Sequence, residues 1–206
     1  ADNGYVDDFA QNDVLSAAEQ LPIDNTHGPE SLALGSDGLI YISADQGWIV
    51  RHDPHSGTAK RWVNTGGRPL GIVFDRIGNL LVADAYRGLL SIAPDGSMIT
   101  LTDRVNGQPI QYADDLDVGP DGKIYFTDAS NKFGAEENGG TYTASLLDIL
   151  EHGYHGRLLV FDPEYETTEV LLDNLSFANG VAVDPRGRFV LVNETGEYRI
   201  HKLWLS

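Results

Sequence analysis

The sequence predicts an all-β chain folded as a β-propeller of four-stranded blades, and three observations carry that expectation. First, four segments repeat one pattern: PESLALGSDGLIYISADQGWIVRHDP from Pro29, RPLGIVFDRIGNLLVADAYRGLLSIAPDG from Arg68, YADDLDVGPDGKIYFTDAS from Tyr112 and FANGVAVDPRGRFVLVNETGEYRIHKLWLS from Phe177. Second, the pattern recurs at intervals of about 40 residues, stretched before the last copy, which is the period of propeller blades. Third, the strands are short and several are apolar on both faces (LIYISAD, NLLVAD, KIYFTD, RFVLVNE), as in sheets packed on both sides.

Taken in order, Val14 to Ile23 (VLSAAEQLPI) precedes the repeats and is a candidate closing strand, which would hide an exposed edge. The blades are expected at about 29–66, 67–111, 112–176 and 177–206. In each, an apolar strand leads into a turn built on Gly38, Gly78, Gly122 or Gly187, placed where a tight hairpin needs positive φ. The second strand ends on Asp45, Asp84, Asp128 or Glu194. A fourfold repeat of an acid suits loop anchoring by hydrogen bonds to backbone N–H groups better than a single active site. Between the second and third strands of the third blade lies an insertion, about 131–155. It carries the one convincing helix, Thr141 to His152, in which Leu146, Leu147, Ile149 and Leu150 follow helical spacing loosely. The third strand then resumes as GRLLVFDP. The last blade shows three strands.

Composition narrows the function. The 206 residues hold 31 Asp and Glu against 14 Lys and Arg, a net charge of −17, which argues against binding through nucleic-acid phosphates and suits a cation site. Without Cys there is no disulfide, thiol nucleophile or Cys-ligated zinc, and a Cys-free chain works in either redox setting. No apolar run approaches the ~20 residues of a membrane-spanning helix. There is no GxSxG elbow or Ser-His-Asp order, and GGRPLG at Gly66 to Gly71 has neither P-loop nor Rossmann spacing.

The motifs YFTDAS, GRLLVFDP, FANGVAV and ETGEYRIHKLWL, with THGPESLAL and YADDLDV, occur in an order that closely resembles the strictosidine-synthase-like proteins of the gluconolactonase and regucalcin superfamily. The resemblance spans about Leu15 to Leu205. It implies a six-bladed ring whose fifth and sixth blades would follow Trp204 and Leu205, so a complementary fragment or self-association is expected, unless Val14 to Ile23 closes four blades. It also implies a divalent metal, usually calcium, in the central channel. Carried over by motif, its ligands fall on Glu30 in GPESLAL, on Asp114 in ADDLDV (a departure from Asn that adds negative charge) and on Asn179 in FANG; a further Asp ligand has no counterpart. Nor does the catalytic Glu of true strictosidine synthases, so alkaloid condensation gains no support.

The residues themselves allow the same reading. Glu30, Asp114 and Asn179 each precede or open the first strand of a blade, so all three should converge on one end of the channel and offer the oxygen donors that a hard cation takes. The alternative is that Glu30 caps a turn, Asp114 bonds backbone and Asn179 occupies a turn before Gly180. Strand alternation puts Asp115 on the opposite face from Asp114, where it could transfer protons or support a ligand; Asp117 lies two residues further on. His27, three residues before Glu30, is a second candidate base. His52 and His55 are expected in a solvated outer turn, while Gly153 separates His152 from His155 and weakens a ligand role for either. The insertion reads either as a lid, with Tyr142, Leu146, Leu147 and Tyr154 offering an apolar wall to substrate, or as a helix covering a blade edge. The expectation is a hydrolase of lactones or small esters that depends on calcium or another divalent cation. Its rival is a non-catalytic propeller module that binds a protein or small ligand, with at most a structural calcium.

Overall fold

The computed structural model describes Val6 and residues 10–205. Blade I comprises β1 (Leu32–Leu34), β2 (Ile40–Ser43), β3 (Trp48–Asp53) and β4 (Thr58–Asn64). Blade II comprises β5 (Pro69–Phe74), β6 (Leu80–Asp84), β7 (Gly88–Ile92) and β8 (Met98–Thr102). A small hairpin, β9 (Arg104–Val105) and β10 (Gln108–Pro109), leads into blade III, which holds β11 (Ala113–Val118), β12 (Ile124–Asp128), β13 (Gly156–Asp162) and β14 (Thr167–Leu175). Helix α1 (Thr141–Glu151) sits between β12 and β13. Blade IV has β15 (Ala178–Val183), β16 (Phe189–Glu194) and β17 (Arg199–Trp204).

Every blade is an antiparallel meander with its strands in chain order. Its first hairpin turns on the expected glycine, with φ of +80° at Gly38, +91° at Gly78, +86° at Gly122 and +67° at Gly187. These are left-handed values that a side chain would strain. The first strands β1, β5, β11 and β15 lie side by side in that order.

The core lies between the blades, as two-faced apolar strands require. Leu81, Leu89, Leu116 and Phe126 fill the space between blades II and III, and Tyr125, Leu158, Val190 and Val192 that between III and IV. Burying such side chains stabilises by about 1.5–3 kcal/mol each before conformational entropy is subtracted. On the far side of blade I, Ile42 and Val50 are covered in part by Ile23. The segment Val14 to Ile23 forms a turn near Val14 and no strand. Leu32 and Leu34 on blade I, and Ile200 and Trp204 on blade IV, remain exposed.

One expectation is corrected. His52 is not in a solvated turn: β3 runs on to Asp53, and pleating turns His52 into the core at 1% exposure, where its Nδ1 has no partner among the described residues. In α1 the buried residues are Ala144 and Asp148, while Leu146, Leu147 and Leu150 are exposed. The helix therefore seats by Ala144 and Asp148, with Ile149 packed beside Ala144's cluster, and not by its leucines.

Candidate functional site

A repeated irregularity builds the site. Pairing between the first two strands slips by one residue at the same place in three blades: from Pro69↔Asp84 to Ile72↔Val82, from Ala113↔Asp128 to Leu116↔Phe126, and from Ala178↔Glu194 to Val181↔Val192. Two residues of the first strand thus oppose one on the second, which is a β-bulge, a device that re-aims side chains. In blade I, Glu30 and Ser31 bracket Ser43 in the same way: Glu30 N–H donates to the Ser43 carbonyl at 3.1 Å and Ser43 N–H to the Ser31 carbonyl at 3.1 Å.

The first residue of each pair (Glu30, Leu70, Asp114, Asn179) faces one cleft of about 250 Å³. Tyr112 and Phe177 wall it, their rings edge to face at 5.4 Å, and Thr141, Tyr142 and Ser145 of helix α1 close one side. The Tyr112 hydroxyl donates to the Thr141 carbonyl at 2.9 Å and so ties the helix to the wall.

The second residue of each pair (Ser31, Gly71, Asp115, Gly180) faces away from these. Asp115 accepts the Val181 N–H at 2.9 Å, and a Cβ on Gly71 would stand 2.6 Å from its Oδ1, so glycine there makes room for the carboxylate. Asp117 accepts the Val183 N–H at 2.8 Å. Both acids stitch blade III to blade IV. Two hydroxyls opposite the bulges do similar work. Ser43 Oγ takes the Ser31 N–H at 3.0 Å and donates to the Leu70 carbonyl at 2.6 Å. Thr127 Oγ1 takes the Asp115 N–H at 3.1 Å and donates to the Asn179 carbonyl at 2.7 Å. Each hydroxyl fixes the cleft residue of the next blade.

The electrostatics are one-sided. Asp114 is 7% exposed, and no hydrogen bond reaches its carboxylate within the described residues. Burial first, then the charges of Asp115 and Glu30, push its pKa well above the usual carboxylate range, against the pull of Arg68. Burial also raises Asp115, opposed by the Val181 N–H. Tyr112 is raised by burial and by Asp114. Arg68 is the nearest cation: it donates to the Gly28 carbonyl at 3.1 Å, with Nε 3.2 Å from Asp45 Oδ1 and a terminal nitrogen 3.9 Å from Glu30 Oε2. Among the described residues no group of three His, Cys, Asp or Glu converges as a metal cluster. The donors gathered here are two carboxylates and one amide, the oxygen chemistry of a hard cation though fewer than its usual six to eight ligands.

Of the residues expected from sequence, Glu30, Asp114, Asn179 and Tyr142 line the cleft and Asp115 lies behind it. Leu146 and Tyr154 do not line it. Leu146 is on the exposed side of α1, and the Tyr154 hydroxyl donates to Glu197 Oε1 at 2.6 Å. His27 is exposed, with its carbonyl accepting the Asp45 N–H at 2.8 Å, and is not part of the lining. Sequence reasoning missed Arg68, Tyr112 and Phe177. Each stands two residues before a bulge residue (Leu70, Asp114, Asn179), so the repeat register held the signal.

Comparisons with known proteins agree with this architecture. Residues 114–206 match the strictosidine synthase family and residues 7–52 the N-terminal region of strictosidine synthase-like proteins. The Arabidopsis thaliana protein STRICTOSIDINE SYNTHASE-LIKE 4 is 38% identical over 198 residues, covering 93% of this chain and 52% of that protein. The chain thus spans about half the length of the curated relatives it matches. Among solved structures, a gluconolactonase from Xanthomonas campestris superposes with a TM-score of 0.72 at 21% identity, covering 89% of this chain and 61% of that one. A calcium-binding protein, regucalcin, from Agrobacterium tumefaciens superposes with a TM-score of 0.63 at 13% identity, covering 90% and 55%. At these identities the two structures speak to the propeller fold alone. The relatives, the family matches and the bulged, four-stranded blades together make this chain a member of the strictosidine-synthase-like family.

Proposed function

We propose that this chain carries the cleft of a divalent-cation-dependent hydrolase of lactones or small esters, with calcium the preferred ion. One observation carries the reading: among the described residues the buried Asp114 carboxylate has no hydrogen-bond donor, and it shares its cleft with Glu30 and Asn179. An unpaired buried carboxylate costs several kcal/mol unless a cation or a proton meets it. Glu30, Asp114 and Asn179 would hold the ion, which would supply Lewis-acid polarisation of a carbonyl oxygen and stabilise the oxyanion.

The chain's own residues do the rest. Tyr112, Phe177, Leu70 and Tyr142 offer apolar surface to the body of an ester and exclude water from it. Ser43 and Thr127 hold the carbonyls of Leu70 and Asn179, so the cleft positions are set by hydrogen bonds between blades. Asp115, behind the cleft, accepts the Val181 N–H and would act as a positioning residue, holding the junction of β11 and β15 that presents Asp114 and Asn179. His27 is likewise outside the lining and is given no part in the proton transfer.

The gluconolactonase and regucalcin likenesses lend support through shared fold only. One observation favours the non-catalytic alternative, with a structural ion at most: Arg68 stands beside Glu30 and already supplies it with a counter-charge. Hydrolysis of aryl esters and lactones by the purified chain, with calcium and with EDTA, separates the two. Chelator-sensitive turnover supports the hydrolase, and calcium-dependent melting without turnover supports the alternative. Glu30→Gln and Asn179→Ala should remove most of the calcium response in melting, whereas Ser31→Ala should leave turnover unchanged because no serine nucleophile is involved. A melting temperature indifferent to calcium in the parent chain would sink the cation reading.

A further inference from the structure

Helix α1 carries an acid where its packing calls for a neutral residue. Asp148 lies one turn after Ala144 on the seated face; both are fully buried, and neither carboxylate oxygen of Asp148 has a partner within the described residues. Ala144 packs with Tyr112, Ala129 and Phe177, so the face that buries Asp148 is also the face that meets the cleft wall.

Among the described residues, the surroundings of Asp148 offer no counter-ion that is free. On its own helix, Glu151 is a like charge, and the last turn holds no basic residue to offset the negative helix end. From the segment after β12 comes the Ser130 hydroxyl, itself buried. On β12, Asp128 is another acid, and its partner Arg157 on β13 is already committed to it. Lys132 Nζ sits 2.6 Å from Glu151 Oε1, and His155 Nε2 is 3.2 Å from the same oxygen. Burial is the main influence that raises the acid, with Ser130 and His155 pulling the other way. The neutral acid is the form that fits: it has an O–H to donate and no charge to desolvate.

We propose that helix α1 is a proton-coupled lid, in which Asp148 is protonated while the helix is seated and gives that proton to solvent when the helix lifts. No bond beyond the O–H is broken, and water or buffer takes the proton. The seat is tied to the cleft because Thr141, Tyr142 and Ser145 line it and the Tyr112 hydroxyl holds the Thr141 carbonyl. Lifting α1 therefore widens the cleft and removes Tyr142 from its wall. The lid stands independently of the hydrolase reading; only its bearing on turnover rests on that reading.

The sign follows from linkage. An acid whose seated pKa exceeds its free value favours the seated helix below the free value near 4 and progressively less above it. Opening then grows about tenfold per pH unit, and it levels off once Asp148 ionises in place.

The test is carboxyl-carbon NMR of the intact chain, with the Asp148 signal assigned by its loss in Asp148→Asn, together with hydrogen exchange of residues 141–151 from pH 4.5 to 8. The inference expects the Asp148 carboxyl to titrate above the ordinary carboxylate range. It also expects exchange of the helix, corrected for intrinsic chemistry, to rise about tenfold per pH unit until that titration. In Asp148→Asn the corrected exchange should not change with pH. A carboxyl that titrates near 4, or the same pH-dependent opening in Asp148→Asn, overturns the lid. If Asp148→Asn does not fold, Asp148→Ser supplies the assignment, and corrected exchange of the parent helix that is indifferent to pH overturns the lid. None of these readouts involves hydrolysis, so a chain without ester turnover can still pass or fail.

Discussion

The acids that close the second strands and the acid that floors the cleft lie a few residues apart across the same hairpins, yet their surroundings are opposite. Asp84 receives the N–H groups of Arg68, Tyr86 and Arg87 and the hydroxyl of Thr65. Asp128 receives the Tyr112 N–H and the Arg157 guanidinium, and Glu194 the Ser176 N–H, Arg199 and His201. Asp114 is almost as deeply buried and receives none of this. A buried acid with several donors is a structural joint, and one without them is left to meet a cation or a proton. The same residue type thus holds the blades together at one end of a hairpin and, on the opposed strand, is a ligand of the proposed cation site.

The largest expected effect sharpens that contrast by sign. Asp128→Ala strands the buried Arg157 guanidinium and orphans the Tyr112 N–H, and should cost about 3–5 kcal/mol in urea denaturation. Asp114→Asn, measured without added cation, should instead stabilise by about 1 kcal/mol or more, because an unpaired buried charge is removed. A loss in both would break the comparison.

Next in size is a pH effect. Burial alone would raise Glu194, but the hydrogen bonds from Arg199, the Ser176 N–H and His201 outweigh it and hold the group down to about 2. A depressed acid contributes stability above its unfolded value, near 4.3, and loses it as pH falls toward about 2. Chemical denaturation between pH 5 and 2.5 should therefore show a decline that Glu194→Gln flattens. Asp148 runs the opposite way, easing as pH falls.

A smaller effect, about 1–2 kcal/mol, is expected for Thr127→Val, which deletes the donor to the Asn179 carbonyl and leaves the Asp115 N–H unpaired, while Thr127→Ser should restore most of it. Calcium affinity at the proposed site, measured by calorimetry, should fall in the valine variant and recover in the serine one. The smallest effect belongs to Arg87→Ala. Its 2.9 Å ion pair with Glu136 joins blade II to the lead-in of the insertion but is largely solvated, so less than about 1 kcal/mol is expected.

What was legible in the sequence was local. Turn glycines and two-faced strands announce themselves within a few residues, so the propeller repeat and helix α1 are readable from the sequence. Glu30, Asp114 and Asn179 were legible because they recur at one repeat position. The bulges were not, since the slip appears only when two strands pair. Nor were the Ser43 and Thr127 bridges, whose acceptors lie in the next blade. Asp148 was hidden for a different reason: reading α1 by its leucines pointed to the face that stays in solvent.

The bulge has an evolutionary consequence. It presents one side chain per blade to a common space, and the ladder hydrogen bonds on either side do not depend on what that side chain is. The four positions now hold Glu30, Leu70, Asp114 and Asn179, three oxygen donors and one blank. A single substitution at Leu70 could fill the blank without shifting any strand register, and a substitution at another position could empty it. Reactivity in this scaffold can therefore drift by one-residue steps while selection on folding acts elsewhere, on the joints. That separation offers a physical reason why one blade design can serve relatives with unlike names.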